Sequence, residues 1–241
     1  MAQPSALEQY WLELINSERT SRGEQPLAWN GALSQAAEDH SQWMIATDTF
    51  SHTGANGSDP TARMTEAGYA LNGSWTTGEN IAWASTRGPE GYQDEVNLLH
   101  SNLMNSPGHQ ANILNANFKE VGLGFEVGEY QGREGAFGTE DFARSGSGSF
   151  LTGVAFNDQD GDHFYDPGEG LGGLTVDAVD AAGNHFTTTT SDAGGYNLNL
   201  APGSYTVTFE NTNGETTAQD VVIGDLNVKL DAVNPVFDLL A

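Results

Sequence analysis

Apolar residues recur at helical spacing through the first part of the chain and at alternate positions through the rest. Leu7, Trp11, Leu14 and Ile15 form one stripe, with Ser5 placed to cap its start and Gly23 to end it. Leu33, Ala36, Ala37, His40, Trp43 and Met44 form a second stripe behind Asn30, another capping residue. Asp59-Pro60 opens a third helix with proline at its first position. Gly88-Pro89 precedes a fourth, carried by Tyr92, Val96, Leu99, Leu103 and Met104. The period then switches. Val121, Leu123, Phe125 and Val127 alternate, which predicts a strand, and a second strand is expected over 135–142. Helices followed by strands predict an α+β layered unit rather than a parallel sheet.

Beyond residue 149 the pattern is all strand. Segments 150–156, 174–180, 185–191, 196–200, 204–210, 216–223 and 226–230 alternate or carry β-branched and aromatic residues. Ala182-Gly183-Asn184, Asp192-Ala193-Gly194-Gly195 and Ala201-Pro202-Gly203 supply hairpin connections between them. Regular short strands with recurring turns predict a β-sandwich. Arg144-Ser145-Gly146-Ser147-Gly148-Ser149 separates the two patterns and reads as a flexible Gly/Ser linker. All five Trp precede it, and Lys229 is the single base that follows it. The expected organisation is an α-β unit over 1–143, a linker over 144–149, a β-sandwich over 150–232 and a tail over 233–241.

Charge narrows the function. With 33 acids against 8 Lys and Arg, the formal charge is -25. Such a field repels phosphate backbones and anionic membranes, which argues against nucleic acid as a partner. It suits solubility, cation binding and a saline habitat. Apolar residues are 37% of the chain, and eleven Phe and five Trp supply the area for a core. The absence of cysteine excludes disulfides and thiolate metal sites, and suits export without oxidation. Residues 1–9 lack the basic and apolar regions of a signal peptide, and no apolar run is long enough to span a bilayer. Residues 236–241 form an acidic-hydrophobic tail similar to the C-terminal signals of type I secretion substrates. An extracellular location by that route is expected, with a cytoplasmic one left open. The oligomeric state is not given by the sequence.

The sharpest local motif is the run 158–169. Counting Asp158 as position 1, carboxylates fall at positions 1, 3, 5, 9 and 12, namely Asp158, Asp160, Asp162, Asp166 and Glu169. Phe164, at position 7, offers a backbone carbonyl. That is the ligand spacing of an EF-hand-type calcium loop. The usual glycine at position 6 is replaced by His163, and the glycine stands at Gly161 instead. The region from 150 to about 231 resembles the B-type repeats of Sdr-family surface adhesins and the related carboxypeptidase-regulatory-like modules. Beyond the loop, the resemblance rests on Thr190-Ser191-Asp192-Ala193-Gly194-Gly195-Tyr196 and Leu200-Ala201-Pro202-Gly203-Ser204-Tyr205. It implies a calcium-stiffened spacer.

Three stretches of the first part bring two histidines and a carboxylate, each expected in a turn: Phe50-Ser51-His52, Gly78-Glu79-Asn80-Ile81 and Ser106-Pro107-Gly108-His109. Neutral imidazoles with a carboxylate bind a borderline metal or run acid–base chemistry. Preceded by Leu27-Ala28-Trp29-Asn30 and followed by Asn117-Phe118-Lys119-Glu120-Val121-Gly122, they resemble the bacterial branch of the CAP, or SCP-like, superfamily over residues 5–143. The resemblance implies an α-β-α sandwich whose cleft is lined by His52, Glu79 and His109. It also implies zinc or another divalent ion there, as in several family members. A further cleft glutamate, common in eukaryotic members, has no counterpart in Leu103-Met104-Asn105-Ser106, and Glu95 lies two turns too early. His40 and His100 read as packing or surface residues, and His185 as an exposed strand residue.

Three functions follow. One is a secreted, non-catalytic protein whose cleft binds a lipid-like small ligand, a cell-surface partner or a divalent metal, carried on a calcium-stabilised spacer. Another is a metal-assisted hydrolase with His52 and His109 as ligands and Glu79 as base. The third is a purely structural adhesion or matrix protein. A Ser-His hydrolase is discounted, because a hydroxyl on the same turn rarely reaches the neighbouring imidazole.

Overall fold

The computed structural model describes residues 3–88 and 91–239. Pro89, in the start signal of the fourth helix, and Leu240 and Ala241 of the expected export tail lie outside the described residues. In order, the first part comprises α1 (Ala6–Thr20), β1 (Ala28–Trp29), α2 (Gly31–Ala46), α3 (Pro60–Glu66), β2 (Trp75–Ser85), α4 (Gln93–Met104), α5 (Pro107–Ile113), β3 (Glu120–Tyr130) and β4 (Arg133–Ser145).

The sheet runs β1-β3-β4-β2, with β2 at one edge. Its spine is the β3–β4 hairpin, closed by Gln131 and Gly132 at φ 51° and 77°. Both central residues in the left-handed region make the turn whose twist matches antiparallel strands. Gly122 and Gly124 let α2 lie directly on one face. A Cβ on Gly122 would stand 2.0 Å from the Ser34 backbone nitrogen, and one on Gly124 would stand 2.3 Å from that of Glu38. Alternation puts Gly138 on the opposite face, where Trp11 of α1 and Leu99 of α4 close over it. Helices therefore cover both faces of the sheet. Ser5 and Glu8 form the expected capping box on α1, and Asn30 caps α2 through Ala32 and Leu33.

Two expectations are corrected. Residues 78–80 are in strand β2, not a turn; Trp75, Thr77, Ile81 and Trp83 carry the strand preference that Gly78 and Asn80 obscure. Residues 107–113 form a short helix, with Pro107 at its first position and Ser106 as the residue before it.

Residues 149–239 contain strands and no helix among the described residues: β5 (Ser149–Phe156), β6 (Thr175–Asp180), β7 (His185–Thr189), β8 (Gly195–Leu200), β9 (Gly203–Glu210), β10 (Glu215–Ile223), β11 (Val228–Lys229), β12 (Ala232–Val233) and β13 (Asp238–Leu239). One sheet runs β13-β10-β9-β6-β7; β5 pairs with β8, β11 and β12 in the other. Leu151, Leu198 and Leu200 from one sheet cluster with Val176, Val207, Phe209 and Ile223 from the other. The strand expected over 226–230 is reduced to β11.

The expected linker is not a flexible coil. Arg144 and Ser145 belong to β4 and Ser149 to β5, which leaves a three-residue turn. Gly146 donates to the Asn72 carbonyl at 3.0 Å, and Lys119 Nζ donates to the Gly148 carbonyl at 2.7 Å. Apolar surface explains the difference: Val154, Phe156 and Tyr165 belong to the same buried cluster as Trp11, Ile15 and Leu99. Burying them against the first part removes the freedom that a Gly/Ser run would otherwise have.

Candidate functional site

The site forms at the β2 edge of the first sheet. Glu79 points to the α2 face, where its register partner on β4 is Asp141. Asn80 points to the other face. It donates to Glu140 Oε2 at 2.8 Å and to the His109 carbonyl at 3.1 Å, which ties α5 to the strand. Asn112 of α5 completes the tie by donating to Asn80 Oδ1 at 2.9 Å. Thus one strand position anchors a carboxylate and the next anchors the helix that bears His109.

Glu79 is almost fully buried and both of its oxygens are occupied. Oε1 meets His52 Nδ1 at 2.7 Å, and Oε2 accepts from Arg63 Nη2. Arg63, on α3, also donates through Nη1 to the carbonyls of His52 and Ser58, each at 3.1 Å. It therefore holds the loop that carries His52 as well as the carboxylate that His52 touches. Asp141 is fully buried, and no N–H or hydroxyl donor reaches either of its oxygens among the described residues. Burial, followed by the neighbouring Glu79, raises its pKa well above the usual range against the pull of Arg63. The neutral form of Asp141 is thus favoured where its side chain faces Glu79.

Sequence reasoning missed Arg63 and Asp141. The signal for Arg63 was scarcity, since a chain with 8 bases seldom spends one on an anonymous helix. For Asp141 the signal was an acid inside a strand pattern next to Phe142. His40, read as packing, is buried and sits behind the same cluster, with Nε2 2.9 Å from the Ser51 carbonyl. Burial lowers its pKa, while Glu79 opposes the shift and Arg63 adds to it. A cavity of about 310 Å³ lies beside His40 and Arg63.

His109, in the first turn of α5, keeps its Nδ1 2.8 Å from Ser106 Oγ. That contact is the one discounted above: at the start of a helix, residues three apart share a face, so the hydroxyl does reach the ring. Burial, and then His52, lowers the His109 pKa and favours the neutral ring. His52, Glu79 and His109 are not gathered within ligand distance of one another. Among the described residues, the one set of three or more His, Asp or Glu with ligand atoms within 4.8 Å is Asp158, Asp160 and Asp162. Glu95 stands apart on α4, accepting from the Arg87 backbone at 2.8 Å. His100 is buried and held neutral, its pKa pushed down to about 4 by burial. His185 is exposed and pairs with Asp177 at 2.7 Å.

The acidic loop of the second part has the turn that the spacing requires. His163, at position 6, takes φ 64°, the left-handed conformation that glycine usually supplies there, and Gly161 takes φ 83°. Asp158 Oδ1 accepts from Gly161 N at 2.8 Å, and Asp162 Oδ1 accepts from Phe164 N at 2.7 Å. Glu169 closes the loop by accepting from Gln159 N at 2.7 Å and Asp166 N at 2.9 Å. The loop also touches the first part. Gln93 of α4 donates to Asp166 at 2.6 Å, and Phe164 meets Tyr10 edge-on at 5.8 Å.

A family model described as CAP, the cysteine-rich secretory protein family, matches residues 12–142. The chain belongs to the CAP family. This member has no cysteine, so neither of its parts is cross-linked. The chain is 36% identical over 121 residues to the uncharacterized protein YkwD of Bacillus subtilis (strain 168), a match that covers 50% of this chain and 43% of the relative. The chain thus spans less than half of that relative's length. Among solved structures it is similar to an extracellular SCP-domain protein from Bacillus anthracis, with 28% identity and a TM-score of 0.44, over 57% of this chain and 40% of the other. An outer surface protein of Borrelia burgdorferi aligns at 17% identity and a TM-score of 0.47, over 60% of this chain and 97% of its own. In the CAP domain and the rest of the described residues, no helix is long and apolar enough to cross a membrane.

Proposed function

We propose that this CAP protein acts outside the cell as a non-catalytic binder, and that the cleft at His52 takes a small amphipathic, lipid-like ligand. The observation that carries the reading is the pairing of a polar end with an apolar one. Glu79 has both oxygens engaged, by His52 and Arg63, so it is an anchor for the His52 loop rather than a free base. On the same face of β2, Trp83 is 40% exposed, and Phe50, two residues before His52, is also 40% exposed. Both pack on Phe137, at centroid distances of 6.2 Å. A polar head at His52 with an apolar tail along Phe50 and Trp83 matches that layout.

The second part is read as a β-sandwich spacer, stabilised by calcium at Asp158, Asp160, Asp162, the Phe164 carbonyl, Asp166 and Glu169. Support comes from the convergence of the first three carboxylates and from the mutual repulsion around Asp166. Its pKa is raised by burial, with Asp162, Glu169 and Asp160 adding to the effect against the Gln93 hydrogen bond. Oxygen ligands in a flexible turn suit calcium.

One observation favours a second reading, a divalent ion such as zinc held by the two imidazoles. Each ring is fixed through Nδ1, His52 by Glu79 and His109 by Ser106, which leaves Nε2 as the available ligand atom. In that case Glu79 is an outer partner and not a ligand, and a metal-assisted hydrolase would need a different base.

Displacement of a fluorescent fatty acid separates the readings. Phe50→Ala/Trp83→Ala is expected to weaken binding about tenfold or more, while removal of metal by a chelator leaves it unchanged. Binding that the double variant retains in full would overturn the lipid reading. Binding lost with the metal would favour the second.

A further inference from the structure

A cavity of about 880 Å³ opens between the two parts of the chain and shares no lining residue with the His52 cluster. Glu8, Glu38 and Glu126 of the CAP domain line one wall, and Asp192 of the second part lines the other. Phe125 and Tyr165 also line it. Gln3, Pro4 and Thr189 line both this cavity and a second one of about 340 Å³, so the two lie side by side. The second cavity adds Glu120 and three aromatic rings: Trp29, Phe150 and Tyr196.

No Lys, Arg or His lines either cavity, and no ion pair among the described residues reaches any of these five acids. Glu120 is nonetheless satisfied, by Asn30 at 2.7 Å and Tyr69 at 2.6 Å. Glu38 accepts from Ser34 Oγ at 2.9 Å, which does not offset its burial. Burial raises its pKa, Ser34 opposes the rise, and Glu126 and Asp39 add to it. Glu8 is raised by burial and again by Glu38, against the Ser5 cap. A positive charge between these carboxylates reverses both penalties. An independent sign of a ligand comes from Ser191. It lines the larger cavity at 6% exposure, and its hydroxyl has no hydrogen-bond partner among the described residues.

We propose that the groove between the two parts binds an extended cationic peptide. Its Lys or Arg heads pair with Glu38, Glu126 and Asp192, and their stems lie on the half-buried ring of Phe125. Acidic walls with aromatic faces recognise cations both by charge and by ring quadrupole. Two adjoining cavities suit a strand-like chain better than a single ion, for which aromatic walls serve no purpose. The net charge of -25 works against polyanions and draws a cationic chain inward.

The test is titration of hexalysine into the full chain at about 0.15 M salt, where long-range attraction is screened. Saturable one-to-one binding is expected, with no binding of hexaglutamate. Glu38→Gln/Asp192→Asn should weaken it about tenfold or more. Glu210→Gln/Asp220→Asn, which removes the same charge from exposed positions on β9 and β10, should change it less than twofold. Amide shift changes should centre on residues 3–8, 125–126 and 190–193. Equal weakening by both variants, binding without saturation, or shift changes elsewhere would each overturn the proposal, because they describe a surface field and not a site.

Discussion

Lys229, the only base of the second part, reaches across to Glu13 of α1 at 2.8 Å. Asp231 holds the same ammonium from its other side. Burial works against the charged lysine, but the two carboxylates more than offset it, and its pKa is raised overall. Lys229→Met should therefore leave Glu13 and Asp231 facing each other in a nearly dry joint, at a cost of about 3 kcal/mol. Urea unfolding measures it. A loss below about 1 kcal/mol would show that the triad is a solvated surface pair. Lys229→Met/Glu13→Gln should recover part of the loss.

Arg63 stands in the same relation to the cleft. Arg63→Met removes the cation that faces Glu79 and Asp141 and frees the two carbonyls of the 52–58 loop. A loss of about 3–5 kcal/mol is expected. The amide spectrum should show the His52 loop as the region that changes most. A stability change within about 0.5 kcal/mol would refute its role as the hub.

Glu140 gives the chain a pH signature. Burial raises its pKa to about 8, against the Asn80 hydrogen bond. The unfolded chain releases this proton from about pH 4.5 upward, whereas the folded chain keeps it until about pH 8. Over that window the folded state binds more protons, so stability falls as pH rises. Glu140→Gln keeps the size and the neutral form. It should flatten this slope and raise stability near pH 8 by a few kcal/mol, about what a shift of several pKa units represents. Unfolding at pH 5 and pH 8 checks it; parallel slopes in the two proteins would contradict the assignment.

Calcium at ten or more times its dissociation constant should raise the melting temperature by several degrees, because it binds the folded loop alone. Asp160→Ala should abolish the rise. Asp160 is exposed and, among the described residues, accepts only from Asp162 N at 3.2 Å, so the fold should survive the change. A melting curve that chelator does not move in the unsubstituted chain would remove the calcium reading.

Much of this was legible in the residues. The stripes of α1, α2 and α4, the alternation of β3 and most strands of the second part are where their patterns put them. Capping signals at Ser5, Asn30 and Asp59 mark true starts. Glu79 and His52 meet at 2.7 Å. What stayed hidden was long-range. The pairing of Glu79 with Asp141 depends on the register between β2 and β4, 62 positions apart, which no local pattern encodes. Arg63 acts through a loop and a strand at once. The Gly/Ser run misled because flexibility was inferred from composition, while Val154, Phe156 and Tyr165 on its far side bury themselves against α1 and α4. The scarce bases give the better guide: Arg19, Arg63, Lys119 and Lys229 each fasten a joint. Arg19 is fully buried and spans from Gln25 to Ile113, both at 2.7 Å.

The tied turn at 146–148 changes how the molecule should respond to a protease. A Gly/Ser run between two folded units is ordinarily the first place cut, and the halves drift apart. Here a nick would sever the chain without parting it. The fragments, still wedged together by Tyr165 and clasped by Lys229, should travel as one particle until a denaturant separates them.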